Sequence, residues 1–390
     1  MGIENIAALL KVKDVYTPTQ LKLEDFVKRI KKYKEHDKNA ECFIGIDIDN
    51  MLFKHGYAHY GMTDARICNM VLNMIKCGAT PIAFIDGEPS KLKENTHKKR
   101  SESIDKRNDR FIELKDKLIE LGQADCMSYR KILVEMENVS KYRKIFNRQD
   151  KIDIKNFLEV IGIQVFVINR HEPEAIMSYL MKKKKLDAVI TTDTDVLLYC
   201  YDCGYLIKNN KNNCDEIEAC SINKIHKAFD MDLNKFRFMA YLMGTDFTKK
   251  FMTPAKAYKE VVNENITSVE IMKELYNDSA DFIESVRLSI DFMSDENLEK
   301  IIKECGVDIK PLNTGKIIEG IDLLLDKLAN KYDKEFVERM LSEFAQFSVK
   351  SNQKVYDLKQ HEKDILKKIK NDLSSTSTFI DKIKMKFEKF

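Results

Sequence analysis

Apolar runs alternate with helix-like segments over roughly the first 250 residues. The apolar runs lie within residues 42–48, 80–87, 164–169 and 186–199. Runs of this length are typical of strands that are buried on both faces. Helical spacing follows in 63–78, near 150–161 and in 234–247, and Gly78 is the expected stop of the first of these helices. This alternation predicts an α/β fold class with a mostly parallel sheet flanked by helices.

Two long segments depart from the alternation. Residues 91–150 are polar, charged and compatible with helix, which predicts a helical insertion above one edge of the sheet. Residues 261–390 place lysines, acids and apolar residues at helical spacing, which predicts a helical C-terminal extension. The expected organisation is therefore a core over residues 1–260, interrupted at 91–150 and followed by the extension at 261–390.

Acidic residues collect where the apolar segments end. They are Asp47 and Asp49, Asp86, Glu172 and Glu174, Asp193 and Asp195, and Asp246. The carboxyl ends of parallel strands meet at one edge of a sheet, so these carboxylates are expected to converge. Converging carboxylates repel one another unless cations neutralise them, and Mg²⁺ or Mn²⁺ prefers such oxygen ligands. For a single acid, capping of the next helix explains the position equally well, whereas the whole set favours a two-metal site for phosphodiester hydrolysis.

The basic residues concentrate in the predicted insertion. Lys93 and Arg100 are seven residues apart, which is two turns along one helical face. Cations above a two-metal site could bind the scissile phosphate and stabilise its transition state. A solvated helix with ion pairs one turn apart is the alternative explanation of this charge pattern.

The overall composition excludes several classes of protein. The formal net charge is +3, from 66 basic and 63 acidic residues, which does not fit a protein that simply coats nucleic acid. There is no apolar run long enough for a membrane span, no signal-peptide pattern, and no Ser or Thr at position 6 for myristoylation. Nine cysteines, an odd number, indicate a reducing, intracellular compartment. Cys200, Cys203, Cys214 and Cys220 lack the two tight pairs of a zinc knuckle, so ordinary thiols are favoured over a zinc site.

Six segments resemble motifs of the flap endonuclease/5′-exonuclease family of structure-specific nucleases, which includes the Rad-type repair nucleases. In chain order they are MGIENIAALL, GIDIDNMLF, FIDGEPSKLKENTHKKRSE, HEPEA, TTDTDVLLY and YLMGTDF. The resemblance covers about residues 1–260 and implies a PIN-like core with a helical arch. It also implies two divalent metals, Mg²⁺ with Mn²⁺ as a substitute, and cleavage of DNA near a 5′ end, flap or nick.

The resemblance also implies roles for single residues. The metal ligands would be Asp47, Asp86, Glu172, Glu174, Asp193, Asp195 and Asp246. Lys93 and Arg100 would be the catalytic cations of the arch. Residues near the DNA would be Gly2, Phe53, Arg148 and Lys256, although a Phe at position 53 fits a buried helix face equally well.

The chain departs from the family pattern at three places. Asp49 replaces a small polar residue and is expected either to add an outer acid or to face water. The stretch after Asp246 lacks the glycines of the family's duplex-binding turn, so binding of duplex DNA there is expected either to be weaker or to depend on Lys249, Lys250 and Lys256. The C-terminus lacks the clamp-binding motif, so no sliding-clamp partner is expected.

Two rival functions remain. Asp47 and Asp49 could be the nucleophile and general acid of a haloacid-dehalogenase-type phosphatase, but this reading leaves Glu172 and Glu174 without a role. A PIN-like scaffold that binds nucleic acid without cutting is the other. The favoured hypothesis is a monomeric, Mg²⁺-dependent structure-specific 5′ nuclease of DNA replication, repair or recombination. Its location would be nuclear in a cellular organism. The Lys, Ile and Asn content also suits a large DNA virus, with the protein in the nucleus or cytoplasm of its host cell.

Overall fold

The computed structural model describes most of residues 19–312. The described ranges are 19–34, 41–56, 63–90, 94–121, 148–199, 203–209 and 215–312, with a few single residues between 92 and 139. By its contacts the chain divides into two units, one of residues 1–158 and 163–311 and one of residues 159–162 and 312–390. The sheet belongs to the first unit, as do the described helices that follow residue 260. The predicted boundary at residue 260 stays a prediction.

Seven strands form one sheet. They are β1 (Thr19–Lys22), β2 (Cys42–Asp47), β3 (Ala79–Asp86), β4 (Gln164–Ile168), β5 (Ala188–Ile190), β6 (Tyr205–Asn209) and β7 (Glu216–Ser221). Their order across the sheet is β1-β7-β6-β5-β2-β3-β4. The five strands from β6 to β4 are parallel, whereas β7 and β1 are antiparallel to their neighbours. The predicted mostly parallel α/β sheet is thus confirmed, with an edge formed by β1, β6 and β7 that the apolar pattern did not predict.

The described helices lie between and after the strands. They are α1 (Leu23–Tyr33), α2 (Ile48–Gly56), α3 (Thr63–Lys76), α4 (Glu94–Leu121), α5 (Arg148–Val160), α6 (Pro173–Lys182), α7 (Val196–Tyr199), α8 (Ile222–Ala228), α9 (Leu233–Met243), α10 (Pro254–Asn263), α11 (Val269–Leu275), α12 (Ala280–Phe292) and α13 (Asp295–Glu304). Helix α3 ends two residues before Gly78, whose φ of +84° is a conformation that favours glycine. Of the helices in the described ranges, none combines the length and hydrophobicity that a bilayer crossing requires.

Helix α6 packs closely against strand β2. Strand β2 lies between β5 and β3, and Ile44 and Ile46 are fully buried. A Cβ atom on Gly45 would lie only 2.9 Å from Met177 Sδ and 3.0 Å from Leu186 Cδ1. A side chain at position 45 would therefore require the Met177 and Leu186 side chains to move. Helix α6 begins a few residues after β4 and packs against β2, so its first turn lies near the carboxyl end of β2.

Candidate metal centre

The carboxyl edge of the parallel strands carries the predicted acids. Asp47 is the last residue of β2 and Asp86 is the last residue of β3. The other members follow a strand directly or by a few residues: Asp49 in the first turn of α2, Glu172 and Glu174 at the start of α6, and Asp193 and Asp195 between β5 and α7. We call Asp47, Asp49, Asp86, Glu172, Glu174, Asp193 and Asp195 the acid cluster. Parallel pairing of β5, β2, β3 and β4 therefore brings together acids that lie up to about 150 residues apart in the chain.

Burial and mutual repulsion make ionisation of the acid cluster costly. Burial is the largest cause that raises the pKa of Asp47 to about 7, and the charges of Asp49 and Asp193 raise it further. Burial likewise raises the pKa of Asp86 well above its ordinary value, with added repulsion from Asp49 and Glu172. The pKa of Glu174 is raised in the same way, by burial and then by Asp47 and Asp193. The charges of the acid cluster thus act on one another, as the sequence predicted.

Hydrogen bonds fix Asp47 from two neighbouring segments. The Thr191 hydroxyl donates to Asp47 Oδ2 at 2.8 Å, and the Asn50 N–H donates to Asp47 Oδ1 at 2.9 Å. Thr192 in turn donates to Asn50 Oδ1 from its N–H at 3.0 Å and from its hydroxyl at 2.9 Å. The loop after β5 is thereby tied to the end of β2. Sequence reasoning missed Thr191 and Asn50, although both lie within the quoted motifs.

The Asp193 and Asp195 pair is ordered by its own main chain. The Asp193 N–H donates to Thr191 Oγ1 at 3.0 Å, and the Asp195 N–H donates to Asp193 Oδ1 at 3.0 Å. The side chains of Thr191 and Asp193 thus each accept from the N–H two residues later, a local pattern typical of Ser, Thr and Asp in turns. Asp193 and Asp195 are both buried, with exposed fractions of 7% and 4%. Both acids therefore lie on the interior side of a turn that follows β5.

His171 anchors the start of α6 and was not singled out from the sequence. Its Nδ1 accepts the Glu172 N–H at 2.8 Å, so the ring proton lies on Nε2, which donates to the Phe292 carbonyl at 2.8 Å. The ring also stacks on Phe292 with centroids 3.8 Å apart. Helix α12 thus fixes the residue that precedes Glu172. The only feature of the sequence that could have marked His171 is its place directly before Glu172 in HEPEA.

The structure contradicts one of the two expectations for Asp49, namely that it faces water. It is only 7% exposed, so it does not face water. Its Oδ1 lies 2.5 Å from the ammonium nitrogen of Lys151 in α5, and its Oδ2 accepts the Asp86 N–H at 2.7 Å. Lys151 also donates to the Asp86 carbonyl at 2.9 Å. Lys151 was not predicted, because nothing in its own sequence neighbourhood marks it.

Asp246 and Lys256 lie beyond α9. Asp246 is half-buried in a turn held by Thr245 and Thr248, whose hydroxyl oxygens lie 3.1 Å apart. It is not among the acids that most strongly raise the pKa values of Asp47, Asp86 and Glu174. Lys256 is exposed on α10. The roles of both residues as metal ligand and DNA contact stay predictions.

The remaining predicted residues are placed only by their helices or not at all. Phe53 lies in α2, Arg100 in α4, and Arg148 is the first residue of α5. Gly2 and Lys93 lie outside the described residues. Their assignments as catalytic or DNA-binding residues also stay predictions.

The chemistry of the acid cluster fits a hard divalent cation. Its donors are carboxylate oxygens, which suit Mg²⁺ or Mn²⁺. Within the described ranges, no three His, Cys, Asp or Glu side chains already converge on one point as a finished metal site. Asp47, Asp86, Glu172, Glu174, Asp193 and Asp195 are the residues that would hold the ion.

The raised pKa values predict an unusual dependence of stability on pH. Asp47 has a pKa of about 7 in the folded protein against an ordinary 3.8, so between these values the folded state binds more protons than the unfolded state. The free energy of unfolding of the metal-free protein should therefore fall as the pH rises from about 4 to about 7. Added Mg²⁺ should reduce this fall, because the cation replaces the protons. Thermal unfolding followed by circular dichroism across this range checks it. A Tm that rises with pH in the metal-free protein would contradict it, and Asp47→Asn should flatten the profile.

Comparisons with known proteins bear on the same segments. The family model described as the XPG I-region matches residues 162–246, from before β4 to Asp246. Flap endonuclease 1 of Methanocaldococcus jannaschii is 25% identical over 274 residues, which are 67% of this chain and 77% of the relative. Flap endonuclease 1 of Eremothecium gossypii is 31% identical over 208 residues, which are 51% of this chain and only half of the relative's length.

Solved structures share the fold. The catalytic core of Rad2 in complex with DNA substrate has a TM-score of 0.51 at 16% identity, over 87% of this chain and 98% of that one. The Holliday junction-resolving enzyme GEN1 in complex with product DNA and Mg²⁺ has a TM-score of 0.55 at 13% identity, over 89% and 78%. These likenesses confirm the predicted PIN-like architecture. Together with the family model and the flap endonuclease relatives, they show that the chain resembles the flap endonuclease family of Rad2/XPG-like nucleases.

Proposed function

We propose that this protein is a divalent-metal-dependent nuclease that hydrolyses DNA phosphodiester bonds at 5′ flaps, nicks or related branched structures. The observation that carries the proposal is the acid cluster, whose carboxylates the parallel strands bring to one edge of the sheet. Burial, and then repulsion from neighbouring acids, raises the pKa values of Asp47, Asp86 and Glu174 there. Burying so many like charges is costly unless a cation is part of the working protein. Two Mg²⁺ ions, with Mn²⁺ as a substitute, are the proposed cofactors.

The residues of the chain divide the work of the reaction. Asp47, Asp86, Glu172, Glu174, Asp193 and Asp195 would hold the ions, which would supply a deprotonated water and stabilise charge on the departing oxygen. Thr191 and Asn50 hold the Asp47 carboxylate, and His171 holds the main chain at Glu172. These contacts fix ligand positions before a substrate binds, which lowers the cost of ordering them during the reaction.

Helix α4 is the proposed arch element over the site. It has 28 residues, so it is about 42 Å long. It begins at Glu94, directly after Lys93, and it carries Arg100 in its second turn. Both cations are proposed to contact the scissile phosphate of a 5′ end that reaches the acid cluster. The exposed side chains of Lys249, Lys250 and Lys256 are proposed to contact the phosphates of the adjoining duplex.

The contacts of Asp49 argue against the phosphatase alternative. A general acid must bring its proton to the leaving group. Here one oxygen of Asp49 pairs with Lys151 and the other accepts the Asp86 N–H. A non-cutting scaffold has no need of the buried acids, which this chain retains. The nuclease proposal gives both sets of residues a role.

A matched set of DNA substrates tests the proposal. Purified protein with Mg²⁺ should cut 5′-flap and nicked duplexes faster than blunt duplex or single strands of the same sequence, because a branch point offers both duplex and a free 5′ end. Product lengths on denaturing gels show the cut site, and a four-way junction tests resolving activity. Asp193→Asn is the inactive control. Equal cutting of every substrate, or cutting that is indifferent to a metal chelator, would contradict the proposal.

A further inference from the structure

The ends of the insertion at 91–150 are joined beside the acid cluster. The chain enters the insertion shortly after Asp86 and returns from it at α5, which carries Lys151 in its first turn. The Lys151 ammonium donates to the Asp86 carbonyl at 2.9 Å. The contact between Lys151 and Asp86 therefore joins the two ends of a segment of some sixty residues, at the main chain of a proposed metal ligand.

Asp49 completes this arrangement from the other side. Its Oδ2 accepts the Asp86 N–H at 2.7 Å, and its Oδ1 lies 2.5 Å from Lys151 Nζ. The N–H and the carbonyl of Asp86 are thus both held by side chains, which in turn hold each other. Only 10% of the Asp49 side chain and 25% of the Lys151 side chain are exposed, so solvent screens this pair weakly. The direction of the Asp86 carboxylate follows from that fixed main chain.

The pair also changes the charge that a metal would meet. Without Lys151, the negative charge of Asp49 would add to those of the other six carboxylates of the acid cluster. Without Asp49, the positive charge of Lys151 would repel incoming cations. At 2.5 Å the two charges largely cancel at the distance of the other ligands. The positive charge of Lys151 also lowers the pKa of Asp86, against the larger effects of burial and neighbouring acids.

We propose that Asp49 and Lys151 are a positioning pair that directs the Asp86 carboxylate to the metal and cancels its own charge, so that six acids and not seven set the affinity for divalent cations. This inference rests on the proposed metal-dependent nuclease function. It assigns Asp49, the departure from the family pattern, a partner instead of a place among the metal ligands.

Metal binding without DNA tests the charge half of the inference. Calorimetric titration of Mn²⁺ into Lys151→Met should give a Kd about tenfold lower than in the unsubstituted protein, because one negative charge is uncovered near the ion. Asp49→Asn keeps an acceptor for the Asp86 N–H but removes a negative charge, so its Kd should be about tenfold higher. The double variant should return to within about threefold. Lys155→Met, one turn further along α5, is the matched control and should leave the Kd unchanged.

Turnover and folding test the positioning half. Lys151→Arg keeps the charge but not the geometry, so its Mn²⁺ Kd should stay within about threefold while flap cleavage slows about tenfold or more. Each single neutral variant should lower the Tm, since it leaves a buried charge without its partner, and the double variant should recover part of the loss. If a single variant fails to fold, the double variant and Lys151→Arg still give a Kd.

Failure of this inference differs from failure of the proposed function. Single variants that shift the Mn²⁺ Kd in the same direction, or not at all, would overturn the pair while the unsubstituted protein still binds Mn²⁺ and cuts DNA. Cleavage by Lys151→Arg at the unsubstituted rate would overturn its positioning role. An unsubstituted protein that neither binds Mn²⁺ nor cuts DNA would remove the proposed function and this inference together.

Discussion

Asp193→Asn and Asp195→Asn are each expected to slow Mg²⁺-dependent cleavage of a 5′ flap by at least about a thousandfold. Asn has nearly the same shape as Asp but lacks the negative charge that a metal ion requires. The Asn at position 193 can still accept the Asp195 N–H, so the turn should persist. DNA affinity, measured by fluorescence anisotropy without a divalent metal, should change little, because the proposed phosphate contacts lie elsewhere. Single-turnover rates measure the loss.

Stability separates a lost ligand from a damaged fold. Removing one charge from a group of mutually repelling carboxylates should leave the metal-free Tm unchanged or raise it. Asp215→Asn is the matched control, since Asp215 accepts from Asn73 at 2.7 Å on the surface, and its cleavage rate should stay within about twofold. Full activity in both Asp193→Asn and Asp195→Asn would refute the metal site.

Lys93→Ala is expected to lower the turnover of bound substrate about a hundredfold and the affinity for DNA less than about threefold. The proposed contact of Lys93 is with the scissile phosphate, where negative charge develops in the transition state, so the loss should fall on the chemical step. The measurement pairs single-turnover rates at saturating enzyme with anisotropy titrations. Arg100→Ala should behave in the same way.

A control from the same helix makes this split interpretable. Lys115 is exposed on α4, about 30 Å along the axis from its start. Lys115→Ala removes the same charge type and should change the turnover of bound substrate less than about twofold. Equal losses of turnover and affinity in Lys93→Ala would contradict a role in catalysis and assign Lys93 to general phosphate binding.

Strands β2, β3, β4 and β5 could be predicted from the sequence because each is a run of apolar residues. Strands β2, β3 and β5 are almost wholly buried, so their apolar runs contrast with every flanking segment. Strand β4 lies at the sheet edge and is half-buried except for Ile168, but it too is an apolar run. Strand β7 alternates exposed or half-buried with buried positions, and β1 is only four residues long at the sheet edge. Such short or mixed patterns are also common in loops and helices, so β1, β6 and β7 were not predicted.

The sequence by itself determined which acids are available and that they follow apolar strands, since both properties are local. Only the tertiary structure decided which side chains contact these acids. His171 meets Phe292 and Asp49 meets Lys151 across more than a hundred residues of chain. These contacts depend on the order of strands in the sheet and on the point where the insertion returns to the core. Local patterns of polar and apolar residues carry no record of either, because contacts between distant segments are selected by packing of the whole fold.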